Sequence, residues 1–121
     1  MGIVIGIDVG ISTTKIVGIV EQGKVLSPIR IKATDPVTSL YGAFGKFLYV
    51  NKIQLQDIEK VMLTGVGSAY INEPIYNLPT EKAEEFIADG LGARYETKLD
   101  RMIVVSMGTG TSLVKCDGND I

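Results

Sequence analysis

The segment Gly6-Ile7-Asp8-Val9-Gly10, followed by Ser12, Thr13, Thr14 and Lys15, puts a carboxylate at the end of an apolar run and hydroxyls and a cation just beyond it. An ionised carboxylate in such a place is costly to desolvate unless it has a use. Asp8 could hold Mg2+ between itself and phosphate oxygens, usually through water. Gly10 would let backbone approach a ligand closely, and turn amides and hydroxyls are donors to phosphate. Lys15 could neutralise phosphate charge as a point donor. The same residues also suit an ordinary hairpin with a solvated Asp at its tip, and spacing alone leaves the two readings level. The Gly-x4-Gly-Lys-Ser/Thr spacing of a Walker A loop is absent.

Three further constellations stand out. Gly108-Thr109-Gly110-Thr111-Ser112 follows an apolar strand and packs three hydroxyls and two glycines into five residues. Alone it reads as a glycine-rich turn; beside the first hairpin it reads as half of a phosphate clamp. Leu63-Thr64-Gly65-Val66-Gly67-Ser68 also follows an apolar run, but Tyr70 stands where a Gly-x-Gly-x-x-Gly motif needs glycine, so a dinucleotide-binding reading is poor. A tight strand exit is at least as good a reading there as a nucleotide contact. Glu81, Glu84 and Glu85 form an acidic cluster, with Glu81 and Glu84 read as a solvated helix face. Glu85, next to Phe86, is the candidate general base, because a carboxylate is the default base in a chain with no histidine.

The absence of histidine narrows the chemistry further. Ser-His-Asp and Cys-His catalysis are impossible within these 121 residues, and the single Cys116 can build neither a thiolate metal site nor an internal disulfide. A hydrophobic content of 45% suffices for a packed core. A net charge of −2 without a basic run gives no footprint for nucleic acid or a membrane surface. No run of 18 apolar residues occurs, the N-terminus lacks the basic region of a signal peptide, and one free cysteine suits a reducing compartment. A cytoplasmic location is the expectation.

The elements that must position these groups follow from periodicity. Gly2–Asp8, Lys15–Val20 and Val25–Ile31 are expected as three strands joined by tight turns, an antiparallel meander. Thr34 and Asp35 are cap types, Pro36 suits a first helical position, and Val37, Leu40, Tyr41, Phe44, Phe47 and Leu48 mark an amphipathic helix. A helical turn over 54–59 and a buried strand over 61–64 come next. Residues 69–80 are expected as a loop, and a helix from Glu81 to about Tyr95, capped by Thr80, as the carrier of Glu85. Ala83, Phe86, Ile87, Gly90, Leu91 and Arg94 would share one side of it. Strands over 103–106 and 112–116 flank the second glycine turn, and residues 117–120 carry turn chemistry.

Taken together, Gly6 to Lys15 resembles the phosphate-1 segment of the actin/hexokinase ATPase superfamily, and the element order resembles that superfamily's ribonuclease-H-like lobe. Ser106 to Ser112, with Asp117-Gly118 beyond, is similar to the phosphate-2 hairpin of type II pantothenate kinases, and Glu85-Phe86 to the helix carrying their catalytic glutamate. The resemblance implies an α/β fold: a ribonuclease-H-like (actin-like ATPase) lobe with a mixed sheet over residues 1–100, and the first hairpin of a second lobe, cut short, over 101–121. It implies ATP and Mg2+ as cofactors and phosphorylation of pantothenate, the first step of coenzyme A biosynthesis.

Residue by residue, the resemblance gives Asp8 the role of organising Mg2+ and puts Gly10, Ser12, Thr13 and Lys15 along the phosphate tail. Glu85 would take the proton of the pantothenate primary alcohol, with Glu81 and Glu84 as competitors for that register. Gly108, Thr109 and Gly110 would cradle phosphate, and Thr109 and Ser112 would also touch the pantothenate end. A homodimer is implied for the full-length family. These 121 residues alone are expected to be inactive, since that family is much longer. Other kinases of the fold, BadF-type ATPases and a non-catalytic nucleotide-binding module are the competing readings.

Overall fold

The computed structural model describes residues 2–108 and 110–121, which fall into two compact units, residues 2–82 and residues 83–121. The first unit is organised around strand β1 (Ile3–Val9), whose side chains alternate between fully buried and half-buried positions. β2 (Thr13–Val20) pairs with it antiparallel, and β3 (Ile29–Lys32) pairs with β2 antiparallel. β4 (Ile58–Thr64) lies on the other side of β1 in parallel, and β5 (Thr80–Lys82) continues the parallel pairing. The result is a five-stranded mixed sheet in the order β3-β2-β1-β4-β5.

β3 and β4 run in the same direction with two strands between them, so their connection has to cross the sheet. Helix α1 (Pro36–Asn51) makes that crossing. Asp35 caps it by accepting a hydrogen bond from the Thr38 amide (2.9 Å), and this bond holds the Asp35 carboxyl below its usual range. At the other end Lys52 adopts a left-handed conformation and its amide closes on the Leu48 carbonyl. Leu40, Ala43, Phe44 and Phe47 of α1 are completely buried against Ile5, Ile7 and Ile16 of the sheet. The 65–79 connection to β5 contains two short 3-10 turns, and its Ile71 and Ile75 join the same core. Tyr76, held at φ 50°, stacks edge-on against both Tyr41 and Phe44 of α1.

In the second unit, α2 (Glu85–Thr97) packs on a two-stranded antiparallel hairpin, β6 (Arg101–Met107) and β7 (Thr111–Asp117). Its one buried residue is Gly90. A Cβ there would lie 2.6 Å from Ile121 Cγ2 and 3.1 Å from Cys116 Sγ, so the glycine lets the helix lie close to β7. Arg94 donates a hydrogen bond to the Gly118 carbonyl. No helix among the described residues is long and apolar enough to cross a membrane.

The elements differ from the sequence-based expectation in four places. The third strand begins at Ile29 rather than Val25, because Pro28 cannot donate to a ladder; Val25 makes only an isolated bridge to Ile19. Val37, expected on the apolar face of α1, is 42% exposed, while Ser39 is buried and its hydroxyl accepts from the Thr34 amide. Thr80 to Lys82 is a strand, not the start of a helix. The Thr80 hydroxyl is occupied by the Ile75 amide and the Leu78 carbonyl, and α2 starts at Glu85 with Glu84 at its N-cap. Finally, Phe86, Ile87 and Leu91 do not form a buried stripe: all three are exposed.

The tightest contact between α1 and the sheet yields a stability test. A Cβ at Gly18 would sit 2.8 Å from Phe47 Cζ and 3.2 Å from Ile5 Cδ1, in the fully buried layer. Gly18→Ala is expected to overpack this layer and lower unfolding free energy by about 1–3 kcal/mol, read from the midpoint of a urea titration.

Candidate functional site

Asp8 lies at the C-terminal end of β1, and strand register decides its neighbours. It is the direct partner of Lys15 on β2 and of Thr64 on β4. Lys15 in turn faces Arg30 on β3. Side chains alternate across a strand, and Ile7, Val9, Ile16 and Leu63 are buried in the core under α1. Arg30, Lys15, Asp8 and Thr64 therefore stand in one row on the opposite face of the sheet. Opposed residues in such a row have Cβ atoms roughly 4.5–5.5 Å apart. Asp8 is half-buried, Lys15 and Arg30 are exposed, and no hydrogen bond or ion pair engages the Asp8 carboxylate among the described residues.

The carboxylate is held from below by the exit of β4. Gly65 adopts φ 92° and ψ 160°, a region open almost only to glycine. A Cβ on it would come within 2.5 Å of both Asp8 Oδ1 and the Val9 carbonyl oxygen. Gly67 is as tight: its Cβ would lie 2.6 Å from Val9 Cγ1. The Ser68 hydroxyl donates to the Gly65 carbonyl and closes the turn. The strand-exit reading of Gly65 and Gly67 is thus what the geometry shows, and the exit is pressed directly onto Asp8.

The β1–β2 turn carries Gly10, Ser12 and Thr13. Gly10 has a reason inside the chain for being glycine. Its amide donates to the Thr13 carbonyl at 3.0 Å, and a Cβ would lie 2.6 Å from that oxygen, so the residue is needed for the turn itself. Ser12 is exposed at the tip, and its carbonyl accepts from the Ala33 amide. Thr13 pairs with Lys32 of β3, which joins Lys15 and Arg30 as a third exposed cation at this end of the sheet. Arg30 and Lys32 were not singled out from sequence. The alternation Ile29-Arg30-Ile31-Lys32 is the signal that could have found them, once the strand is known to start after Pro28.

The remaining candidates, Glu81 apart, belong to the second unit. Glu85 is the first residue of α2 and is exposed. Glu84 is the N-cap residue, and Glu81 is on β5, where it forms an ion pair with Lys60. The reading of Glu81 as part of a helix face is therefore corrected. In the β6–β7 turn the Gly108 amide donates to the Gly110 carbonyl (2.8 Å). Among the described residues, a Cβ at Gly108 would find its nearest neighbour 4.0 Å away, and one at Gly110 would meet nothing within 4 Å. Crowding among the described residues does not demand either glycine. Ser112 is half-buried on β7 opposite Ser106, and Thr109 lies outside the described residues.

A single carboxylate fits Mg2+ when phosphates and waters complete the shell, since Mg2+ usually takes only one or two protein carboxylates. The described residues hold no group of three or more His, Cys, Asp or Glu side chains that could form an all-protein cage. Asp8, unpartnered and fixed over Gly65, is compatible with that water-rich mode.

No protein-family model matches the chain, and no curated protein matches it. Solved structures do. The activator of the 2-hydroxyisocaproyl-CoA dehydratase from Clostridium difficile, with bound ADPNP, superposes with a TM-score of 0.83 at 19% identity, over 97% of this chain and 42% of that one. Component A of the (R)-2-hydroxyglutaryl-CoA dehydratase from Acidaminococcus fermentans gives 0.73 at 13% identity, over 93% and 47%. A ROK-family glucokinase from Streptomyces griseus, in complex with glucose and AMPPNP, gives 0.68 at 17%, over 98% and 46%. The chain thus spans less than half the length of each. At these identities the likeness shows the fold, a mixed α/β lobe of the actin-like ATPase type.

The support beneath Asp8 can be tested directly. Gly65→Ala forces a side chain into a glycine-only conformation and against the carboxylate. It is expected to cost on the order of 1–3 kcal/mol from backbone strain alone. Chemical denaturation would show the loss as a lower midpoint with an unchanged slope.

Proposed function

We propose that the chain supplies the phosphate- and cation-binding part of an ATP-dependent phosphotransferase, with pantothenate as the acceptor. The observation that carries the nucleotide reading is the Asp8 row. A carboxylate without a partner among the described residues stands at the end of the central strand, with Lys15 and Arg30 beside it and Lys32 nearby. Two of the similar structures hold non-hydrolysable ATP analogues, which supports ATP as the nucleotide here. The acceptor rests on the sequence resemblance of the second glycine turn and the Glu85 helix to type II pantothenate kinases.

In this reading Mg2+, when bound, shields phosphate charge and orients the transferring group. The chain's residues do the rest. Asp8 orients the cation's water shell, Lys15 and Arg30 offset negative charge along the triphosphate, and the hydroxyls of Ser12 and Thr13 donate to phosphate oxygens. On the sequence resemblance, Gly108, Thr109 and Gly110 would cradle phosphate, and Thr109 and Ser112 would touch the acceptor. Glu85 accepts the proton of the acceptor alcohol. Phosphoryl transfer depends mostly on positioning and charge stabilisation, so this inventory suffices for one side of such a site.

The second reading is an ATPase without a small-molecule acceptor. The superposition on the dehydratase activator, at a TM-score of 0.83, favours it. Assaying the intact protein separates the two. Under the first reading ATP consumption rises with pantothenate and phosphopantothenate accumulates; under the second, ATP is hydrolysed at a rate indifferent to pantothenate. Asp8→Ala is expected to abolish Mg2+-dependent ATP use under either reading. Glu85→Gln is expected to lower kcat by about 10^2- to 10^4-fold with ATP affinity unchanged under the first. If Glu84→Gln is the crippled variant instead, the base lies one residue earlier.

A further inference from the structure

Two hydroxyls in the first unit are buried without a hydrogen-bond partner, those of Thr14 and Thr64. A buried, unsatisfied hydroxyl is a net cost to folding, so each calls for a reason. The two differ in where they stand. Thr14 is completely buried and lies on the α1 face of the sheet, between its strand partners Val9 and Ile31. Thr64 is half-buried on the opposite face. It is the direct strand partner of Asp8 and immediately precedes Gly65, the residue pressed onto the Asp8 carboxylate.

The geometry points to Thr64 as a further binding residue of the Asp8 site, its hydroxyl held in reserve for an oxygen that arrives with the nucleotide and its cation. Thr64 occupies the last position of β4, and the ladder to β1 fixes its backbone beside Asp8; its oxygen is covered in this structure, so serving the same ligand as Asp8 takes a side-chain rotation that uncovers it. The hydroxyl would accept a hydrogen bond from a cation-bound water or donate one to a phosphate oxygen, the two groups such a ligand brings beside a carboxylate. The missing partner is therefore accounted for by a group external to the chain. Thr14, a completely buried residue on the α1 face, serves as the internal comparison. This inference rests on the nucleotide reading above and is independent of the identity of the acceptor.

Three variants of the intact protein, titrated with AMPPNP in the presence of Mg2+ by calorimetry, decide the matter, with melting temperatures recorded without nucleotide. Thr64→Val keeps the shape and removes the hydroxyl. It is expected to weaken Mg2+-AMPPNP binding about tenfold or more while raising Tm by roughly 2–8 °C, opposite signs that a purely structural role would not produce. Thr64→Ser is expected to bind within about twofold of the wild type, since the donor is kept. Thr14→Val is expected to raise Tm in the same way and leave binding unchanged. Wild-type affinity in Thr64→Val, or equal losses in Thr64→Val and Thr14→Val, overturns the assignment of Thr64 and leaves the nucleotide reading standing. Failure of the wild type to bind Mg2+-AMPPNP overturns the nucleotide reading, and the assignment with it.

Discussion

Strand β1 has to satisfy two neighbours of opposite sense, and the first unit is arranged around that demand. Antiparallel pairing with β2 needs only the short Gly10 turn, whereas parallel pairing with β4 needs a long connection, which α1 provides. One face of β1 is thereby committed to the helix: Ile3, Ile5, Ile7 and Val9 are at most 1% exposed. The alternation of the strand then leaves Asp8 no choice of side. It projects from the face that α1 does not cover, and its charge is tolerated because that face is only half-buried.

The close packing beneath Asp8 follows from the same arrangement. β4 must leave the sheet just where β1 ends, and it does so through two glycines that lie against the Val9 carbonyl and side chain. A bulkier exit would push the two strand ends apart and tilt the carboxylate. The site is thus a property of the β1–β4 junction as much as of the residue that carries the charge. The cations come from the antiparallel side, where β2 and β3 each bring one to the level of Asp8.

Much of this was legible in the sequence. The β-branched runs gave β1 and β2, the Asp35-Pro36 start and the spacing of Leu40, Phe44 and Phe47 gave α1, and the glycine turn between apolar runs gave the last hairpin. What escaped was decided by pairing. Thr80-Glu81-Lys82 has no apolar signal and is a strand only because β4 offers it an edge, so it read as a helix start. Arg30 enters the Asp8 row through a register that spans three strands, which local pattern does not encode. The role of Gly65 depends on a contact with residues more than fifty positions earlier. Gly10, read for its approach to a ligand, is also required by its own turn, which the sequence pattern does not show.

The borders of the five-stranded sheet have a consequence for solubility. Sheet margins expose unpaired backbone groups and invite pairing between molecules. Here both are short, four residues in β3 and three in β5, and each is preceded by a proline, Pro28 and Pro79. Both carry charge as well, Arg30 and Lys32 on one side and Glu81 and Lys82 on the other. A neighbouring copy adding a strand at either margin would find few donors to join and would have to bring charges together. The cations beside Asp8 thus also discourage edge-to-edge aggregation, so replacing Arg30 and Lys32 with apolar residues would weaken a safeguard against fibre-like association as well as alter the charge around the site.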